Sequence, residues 1–429
     1  MHPIVLIAFV LSGISGLTLE IIWTRMLEHV FGATTLAVST VLTCFMGGLA
    51  LGSWLFGKLA DRIRSPLKAY AIAEGVVGLA ALAIPLLIQH VYPDLNRLMV
   101  RELSGSFWAY SVVRFVAVAL VLILPTTCMG ATLPLLSRHV IRHEGDMLRV
   151  GKRVGTLYTI NTLGAIGGVF FATFALLPTI GLGATNAAAA ATNLGLCAAV
   201  LLLHRRIARP PAVGVEQDVE IASSVEGYAP FEASRAERVA AMAAFFLSGL
   251  ASMNLQVVWN RTMALVIGSS VYSFALVLLA FLVGLAAGAA VFSNLSRRIR
   301  GPVMALALVE LAVALCAVGN YLYLDDLPHV FAELVTGHIE AYEEHVGLIQ
   351  FIMFTVAAAA VLPATFFMGA TFPLTIRIAT ARIGQVGRDV GGVYALNTLG
   401  AICGSFLSAF VFVPLFSRAF DGAGMQTTF

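Results

Sequence analysis

The chain contains one apolar, polar-punctuated unit written twice. Residues Leu11–Arg25 read LSGISGLTLEIIWTR, and Leu247–Arg261, 236 positions later, read LSGLASMNLQVVWNR. The same shift carries Gly48 and Gly52 onto Gly284 and Gly288, Glu74 onto Glu310, and Tyr158 and Asn161 onto Tyr394 and Asn397. With a slip of two or three residues, LPTTCMGATLPLLSR (Leu124–Arg138) maps onto LPATFFMGATFPLTIR (Leu362–Arg377). A period this long, with matching polar residues inside apolar segments, calls for two homologous helical bundles.

Composition names their solvent. The chain is 59% hydrophobic and only 11% charged, with a mean hydropathy of +0.91. Soluble domains carry roughly 25% charged residues. Apolar runs of about 20 residues recur, long enough to span the hydrocarbon of a bilayer. Lipid offers backbone groups no hydrogen bonds, so the spans must be helices. A barrel needs short alternating segments, and these runs are continuous.

The sequence therefore predicts an all-α integral membrane protein with about 11 transmembrane helices. They fall at 4–30, 35–58, 68–92, 108–136, 152–178 and 182–203 in the first copy, and at 240–266, 271–294, 302–322, 347–375 and 388–414 in the second. Residues 1–203 form an N-terminal six-helix bundle and 239–416 a C-terminal five-helix bundle. The counterpart of the sixth helix falls at the polar tail 417–429, which is expected to be too short to cross. Residues 204–238 are polar and proline-containing and read as a flexible linker. The first apolar run has no signal-peptide pattern.

Twenty of the 26 Lys and Arg residues lie in 58–68, 138–153, 205–238, 297–300 and 377–388. All five segments join even-numbered spans to odd-numbered ones. By the positive-inside rule that side is cytoplasmic, and the N-terminus with it. Segment 323–346 then faces out; it holds six carboxylates, three histidines and no Lys or Arg. Its spacing matches no metal-ligand set, and an amphipathic surface helix accounts for it. The five cysteines lie inside spans without a CxxC pair and read as small buried apolar residues. No metal and no cofactor is expected, and no nucleic-acid partner.

Ionisable side chains inside hydrocarbon are costly and mark function or a buried ion pair. The candidates for a substrate pathway are Glu20, Glu74, Arg114 and Glu310, with Gln256 replacing Glu20 in the second copy. Tyr158 with Asn161, and Tyr394 with Asn397, add a repeated i, i+3 polar pair; interhelical hydrogen bonding is the alternative for the asparagines. Gly48/Gly52 and Gly164/Gly168, with their repeats Gly284/Gly288 and Gly400/Gly404, suit close helix packing. Pro134 and Pro373 predict helix kinks. No catalytic motif is present.

The segment GKLADRIR (Gly57–Arg64) looks like the loop between helices 2 and 3 of major facilitator transporters. That resemblance makes Asp61, Arg62 and Arg64 candidates for a conformational latch. The second copy carries Arg297 where the first has Asp61, so such a latch is one-sided. The strings FMGGLALGSWLFGKLADR, CMGATLPLLSR and GTLYTINTLGAIGG, with FMGATFPLTIR and GGVYALNTLGAICG, resemble more narrowly the membrane region of bacterial fused major-facilitator/spermidine synthase proteins. The resemblance covers about 5–415. It implies a major-facilitator-like fold in a bacterial inner membrane. It also implies a small cationic solute such as a polyamine as cargo, or a membrane anchor for a polyamine aminopropyltransferase. A soluble synthase domain or separate enzyme is the implied partner. None of the residues of such a domain is in this sequence, so an enzymatic role is left open.

Overall fold

The computed structural model describes residues 2–31, 35–103, 105–141, 149–207, 233–268, 271–296, 298–323, 326–336, 342–380 and 382–412. Among these, the regular structure is helical. The N-terminal half holds α1 (Pro3–Phe31), α2 (Thr35–Ala60), α3 (Pro66–His90), α4 (Tyr92–Leu103), α5 (Phe107–Val140), α6 (Val150–Phe170) and α7 (Leu177–Ile207). The C-terminal half holds α8 (Arg235–Val266), α9 (Val271–Leu295), α10 (Pro302–Tyr323), α11 (Leu327–Thr336), α12 (Tyr342–Ala379) and α13 (Val386–Leu407).

Among the described residues, ten apolar segments are long enough to cross a membrane, and the longest, Val150–His204, is two crossings. A π-helical stretch, Phe171–Leu176, runs α6 into the start of α7. The chain then turns at Gly181, whose φ of +75° suits a residue without a Cβ. This gives eleven crossings, at the positions the apolar runs predict. Large apolar side chains line the outer surface, with Leu202 82% and Leu120 72% exposed. Such a surface is stable only against lipid.

The helix bounds differ from expectation at three places. The polar stretch between the halves is shorter than 204–238, because α7 continues to Ile207 and α8 starts at Arg235. A capping box sets that start: Glu237 N–H donates to Ser234 Oγ (3.2 Å) and Ser234 N–H to Glu237 Oε2 (2.7 Å). Residues 208–232 and the tail from 413 onward lie outside the described residues. Helix α4 is an addition. It is the counterpart of α11, the short helix within the acidic segment, whose Leu327 and Val335 are buried while His329 and Glu333 are exposed.

The duplication is visible at atomic contacts. A Cβ added at Gly13 would collide with the Asn161 carbonyl, and one at Gly249 with the Asn397 carbonyl. Gly52 meets Thr127 O as Gly288 meets Phe366 O. Backbone lies on backbone, then, between α1 and α6 and between α2 and α5 in one half, as between α8 and α13 and between α9 and α12 in the other.

Candidate functional site

The two halves meet along two equivalent seams, α2 with α13 and α6 with α9. Gly57 and Gly391 abut in the first, and Gly155 faces Ser293 in the second; both pairs are related by the 236-residue shift. These contacts lie toward the end of the bundle that carries the basic loops. There a single apolar cluster joins both halves. It includes Phe9, Ala60, Tyr70, Leu136 and Val154 from one, and Phe245, Phe372, Ile376, Val390 and Val393 from the other. Phe372 sits at its middle, 4.6 Å from the Tyr158 ring, 6.0 Å from Phe245 and 6.4 Å from Tyr394.

At the opposite end the cores separate. One cluster around Trp23 and Ile84 belongs wholly to the N-terminal half, and one around Trp259 and Val361 wholly to the C-terminal half. A smaller cluster, Val169 with Ala275, Leu276 and Leu279, joins the halves there across the α6–α9 seam, with Leu17 and Ile21 of α1 and Met353 and Phe354 of α12 packed against it. Among the described residues, then, one large core is shared by both halves at the basic end, while at the other end each half has its own core and a smaller cluster links them.

Asp61 reinforces the seal. Oδ1 accepts from Gly387 N–H (3.0 Å) and Oδ2 from Arg388 N–H (2.9 Å), the first turn of α13. Arg138 Nε, at the end of α5, lies 3.3 Å from Oδ1. A carboxylate at a helix N-terminus satisfies orphan donors and opposes the positive end of the helix dipole. Arg62 and Arg64 are exposed and stand outside this contact. In the repeat, Arg377 Nη1 donates to Ile299 O (2.8 Å) instead.

Above the aromatic seal lies the set of polar residues that the repeat predicts. Tyr158 and Tyr394 occupy equivalent positions, and both rings lie against Phe372. Glu20 lies two turns beyond Gly13 and one beyond Gly16 on a single face of α1. A Cβ at Gly16 would meet nothing within 4 Å. Leu17 beside it packs into the cluster at the α6–α9 seam. Gln256, two turns beyond Gly249, holds the mirrored place on α8 and is partly buried. Asn397 is engaged differently: Nδ2 donates to Phe245 O at 2.9 Å, tying α13 to α8. Asn161 holds the equivalent position on α6, where its carbonyl abuts Gly13.

The remaining candidates lie inside the halves. Glu74 is 2% exposed, and Ser12 Oγ donates to its Oε1 at 2.6 Å, joining α3 to α1. Tyr70 OH donates to Ala8 O beside it (3.3 Å). In the repeat, Ser248 is the polar neighbour of Glu310. The spacing of 236 residues thus repeats a serine–glutamate pair, a signal present in the LSG strings that only the structure joins to its carboxyls. Arg114 is buried near the start of α5, with Tyr110 as a neighbour. Sequence reasoning also missed Trp23 Nε1 donating to Asn186 Oδ1 (3.1 Å) and Asn186 Nδ2 to Ala81 O (2.6 Å), which bind α1, α3 and α7.

No protein-family model matches the sequence, and no curated protein does. Solved structures do. FucP, a major facilitator superfamily transporter in the outward conformation, is similar with a TM-score of 0.53 at 16% identity, over 99% of this chain and 93% of that one. The proton:xylose symporter XylE, bound to 6-bromo-6-deoxy-D-glucose, gives 0.54 at 14% identity over 98% and 90%. The human organic anion transporter MFSD10 (TETRAN) gives 0.53 at 15% identity over 96% and 92%. Likeness at this level of identity is a likeness of fold, and with the paired halves and their two seams it shows that the chain has the major facilitator fold.

Proposed function

We propose that the protein moves a small solute across a membrane by alternating access, its halves rocking about a central site. The observation that carries this reading is the uneven joining of the halves. One apolar cluster seals the basic end, while the cores at the other end remain separate. A packed seal on one side and a divided bundle on the other is what one state of such a cycle requires.

The solute in this reading is cationic, with polyamine-like amines as first candidates, because three of the charged pathway candidates inside the spans, Glu20, Glu74 and Glu310, are carboxyl groups. The membrane is the bacterial inner membrane and the basic end is cytoplasmic, in keeping with the distribution of Lys and Arg. Labelled putrescine and spermidine should enter liposomes containing the full chain, and Phe372→Ala should make the seal leaky and lower net accumulation. Uptake equal to that of empty liposomes, for a protein that runs as a folded monodisperse species, would favour the anchor for an aminopropyltransferase instead.

A further inference from the structure

We propose that Phe372 keeps the place of an organic ammonium group. When the basic-end seal parts, its ring leaves an aromatic site of Tyr158, Phe245 and Tyr394, in which a cationic cargo binds. The inference rests on the transport reading and gives its cargo a station. The distances define the site. The ring centres of Tyr158, Phe245 and Tyr394 lie 4.6, 6.0 and 6.4 Å from that of Phe372. One point is thus shared by rings from α6, α8 and α13, and a fourth ring, from α12, fills it. A cation standing there is within or just beyond about 6 Å of all three ring centres, the range over which ring faces attract ammonium groups. Phe245 and Phe372 are buried, whereas Tyr158 and Tyr394 keep part of their surface exposed. The tyrosines therefore stand at the border of the shared core.

Two features make Phe372 a removable occupant rather than a fixed part of the core. The repeat does not call for a ring at this position: GATLP of the first copy has Leu133 where GATFP of the second has Phe372. The next residue is Pro373, which lies inside α12. Its nitrogen carries no hydrogen, so the carbonyl of Gly369 loses its helical partner and the helix is weakened there. Helices bend at such points. A bend at Pro373 moves the Phe372 ring against the three rings that hold it, and these sit on three other helices.

The chemistry of the ligand follows from the rings. An aromatic face is negative and its edge positive. A positive group in the place of Phe372 gains cation–π attraction, while an uncharged group of the same size gains only apolar contact. Either end of a diamine, or any ammonium of a polyamine, meets this description. The site therefore agrees with the cargo proposed above and does not depend on how many charges that cargo carries. Ring and cargo exclude one another, because they take the same place. The affinity of the native protein is then lowered by the fraction of molecules whose ring is seated.

The test is equilibrium binding to the purified full chain in lipid nanodiscs, with putrescine and 1,4-butanediol as probes. They have equal carbon chains and differ in charge. Phe372→Ala empties the site, so it should bind putrescine at least about tenfold more tightly than the native protein does. The diol should gain little. Added to Phe372→Ala, Tyr158→Leu should remove most of the gain, while Tyr158→Phe, which keeps the ring face, should retain it. Phe372→Leu, the side chain of the first copy, should shift putrescine in the same direction and serves if the alanine variant does not fold. Equal putrescine affinity in the native protein and in a variant folded by size and melting profile would overturn the inference. An equal gain for the diol would overturn it too, since that marks a plain apolar hole. So would a gain that survives Tyr158→Leu. Uptake into liposomes by a native protein that fails these binding tests would leave the transport reading standing without this site. The predicted binding without uptake would keep the site and remove the transport reading.

Discussion

Asp61 carries three contacts on two oxygens, and two of them cross from one half to the other. Hydrogen bonds to a charged group contribute about 1.5–3 kcal/mol each at most. Asp61→Asn keeps the shape and loses the charge, so the sealed state should weaken by a value of that order. The readout is maleimide labelling of a cysteine at Val390, which is fully buried in the seal. Its rate should rise about tenfold or more in Asp61→Asn. An unchanged rate would remove Asp61 from the closing contact. This residue was legible in the sequence, because GKLADRIR carries a resemblance. Its partners were not, since backbone N–H groups at residues 387 and 388 leave no mark in side-chain chemistry. Glu74 shows the converse. The sequence marked it as a charge in hydrocarbon, but its partner Ser12 stands 62 residues away, and nothing local distinguishes a pathway carboxyl from one tied inside its own half.

Among elements, the small residues decide how near the halves come. Gly391 meets the Ser53 carbonyl and the Gly57 backbone across the α2–α13 seam. No Cβ fits there without displacing backbone. Gly391→Val should therefore hold the basic end apart, raising labelling at Val390 while leaving the protein able to insert. A melting profile and size comparable to the native protein, with labelling no faster, would show that the seam tolerates the wider spacing. The crossings themselves were legible because a run of about 20 apolar residues is a length signal that survives any detail of packing. Helix α4 was not. Its 12 residues include a proline and four charges, and its helix is held by contacts outside itself: Tyr92 OH donates to Ala117 O, and Tyr110 OH to Asn96 Oδ1 (3.3 Å).

At the scale of the whole molecule, the repeat gives the topology a simple test. Both copies begin at the same end, after an even number of crossings. Cysteines placed at Ser223 and Thr336 should label from opposite sides of a sealed vesicle, the first from the basic side. Labelling of both from one side would invert half of the bundle and with it the parallel repeat. Two homologous bundles of membrane-spanning helices were legible from the repeat and the apolar runs together, and the major facilitator plan from the resemblance carried by strings such as GKLADRIR. Which end of the bundle holds the shared core was not, because that is a property of paired surfaces rather than of any segment.

Those seams are unequal. The one between α6 and α9 is packed near the basic end, where Gly155 meets Ser293, and again toward the other end, where Val169 meets Ala275 and Phe174 lies 5.6 Å from the Tyr272 ring. The α2–α13 seam is held near the basic end and clamped there by a carboxylate that the repeat replaced with arginine. Both seams run on toward the other end, since the stretch Ser408–Phe412 also lies against α2, so the edges differ in the Asp61 clamp. Spin labels flanking α2 and α13 at the basic end should therefore spread further in Asp61→Asn than in the native protein, while labels flanking α6 and α9 keep their native spread. Equal spreading of both pairs would mean symmetric rocking. With an unequal pair, the ancestral symmetry of the duplication survives in the architecture and is lost in the motion.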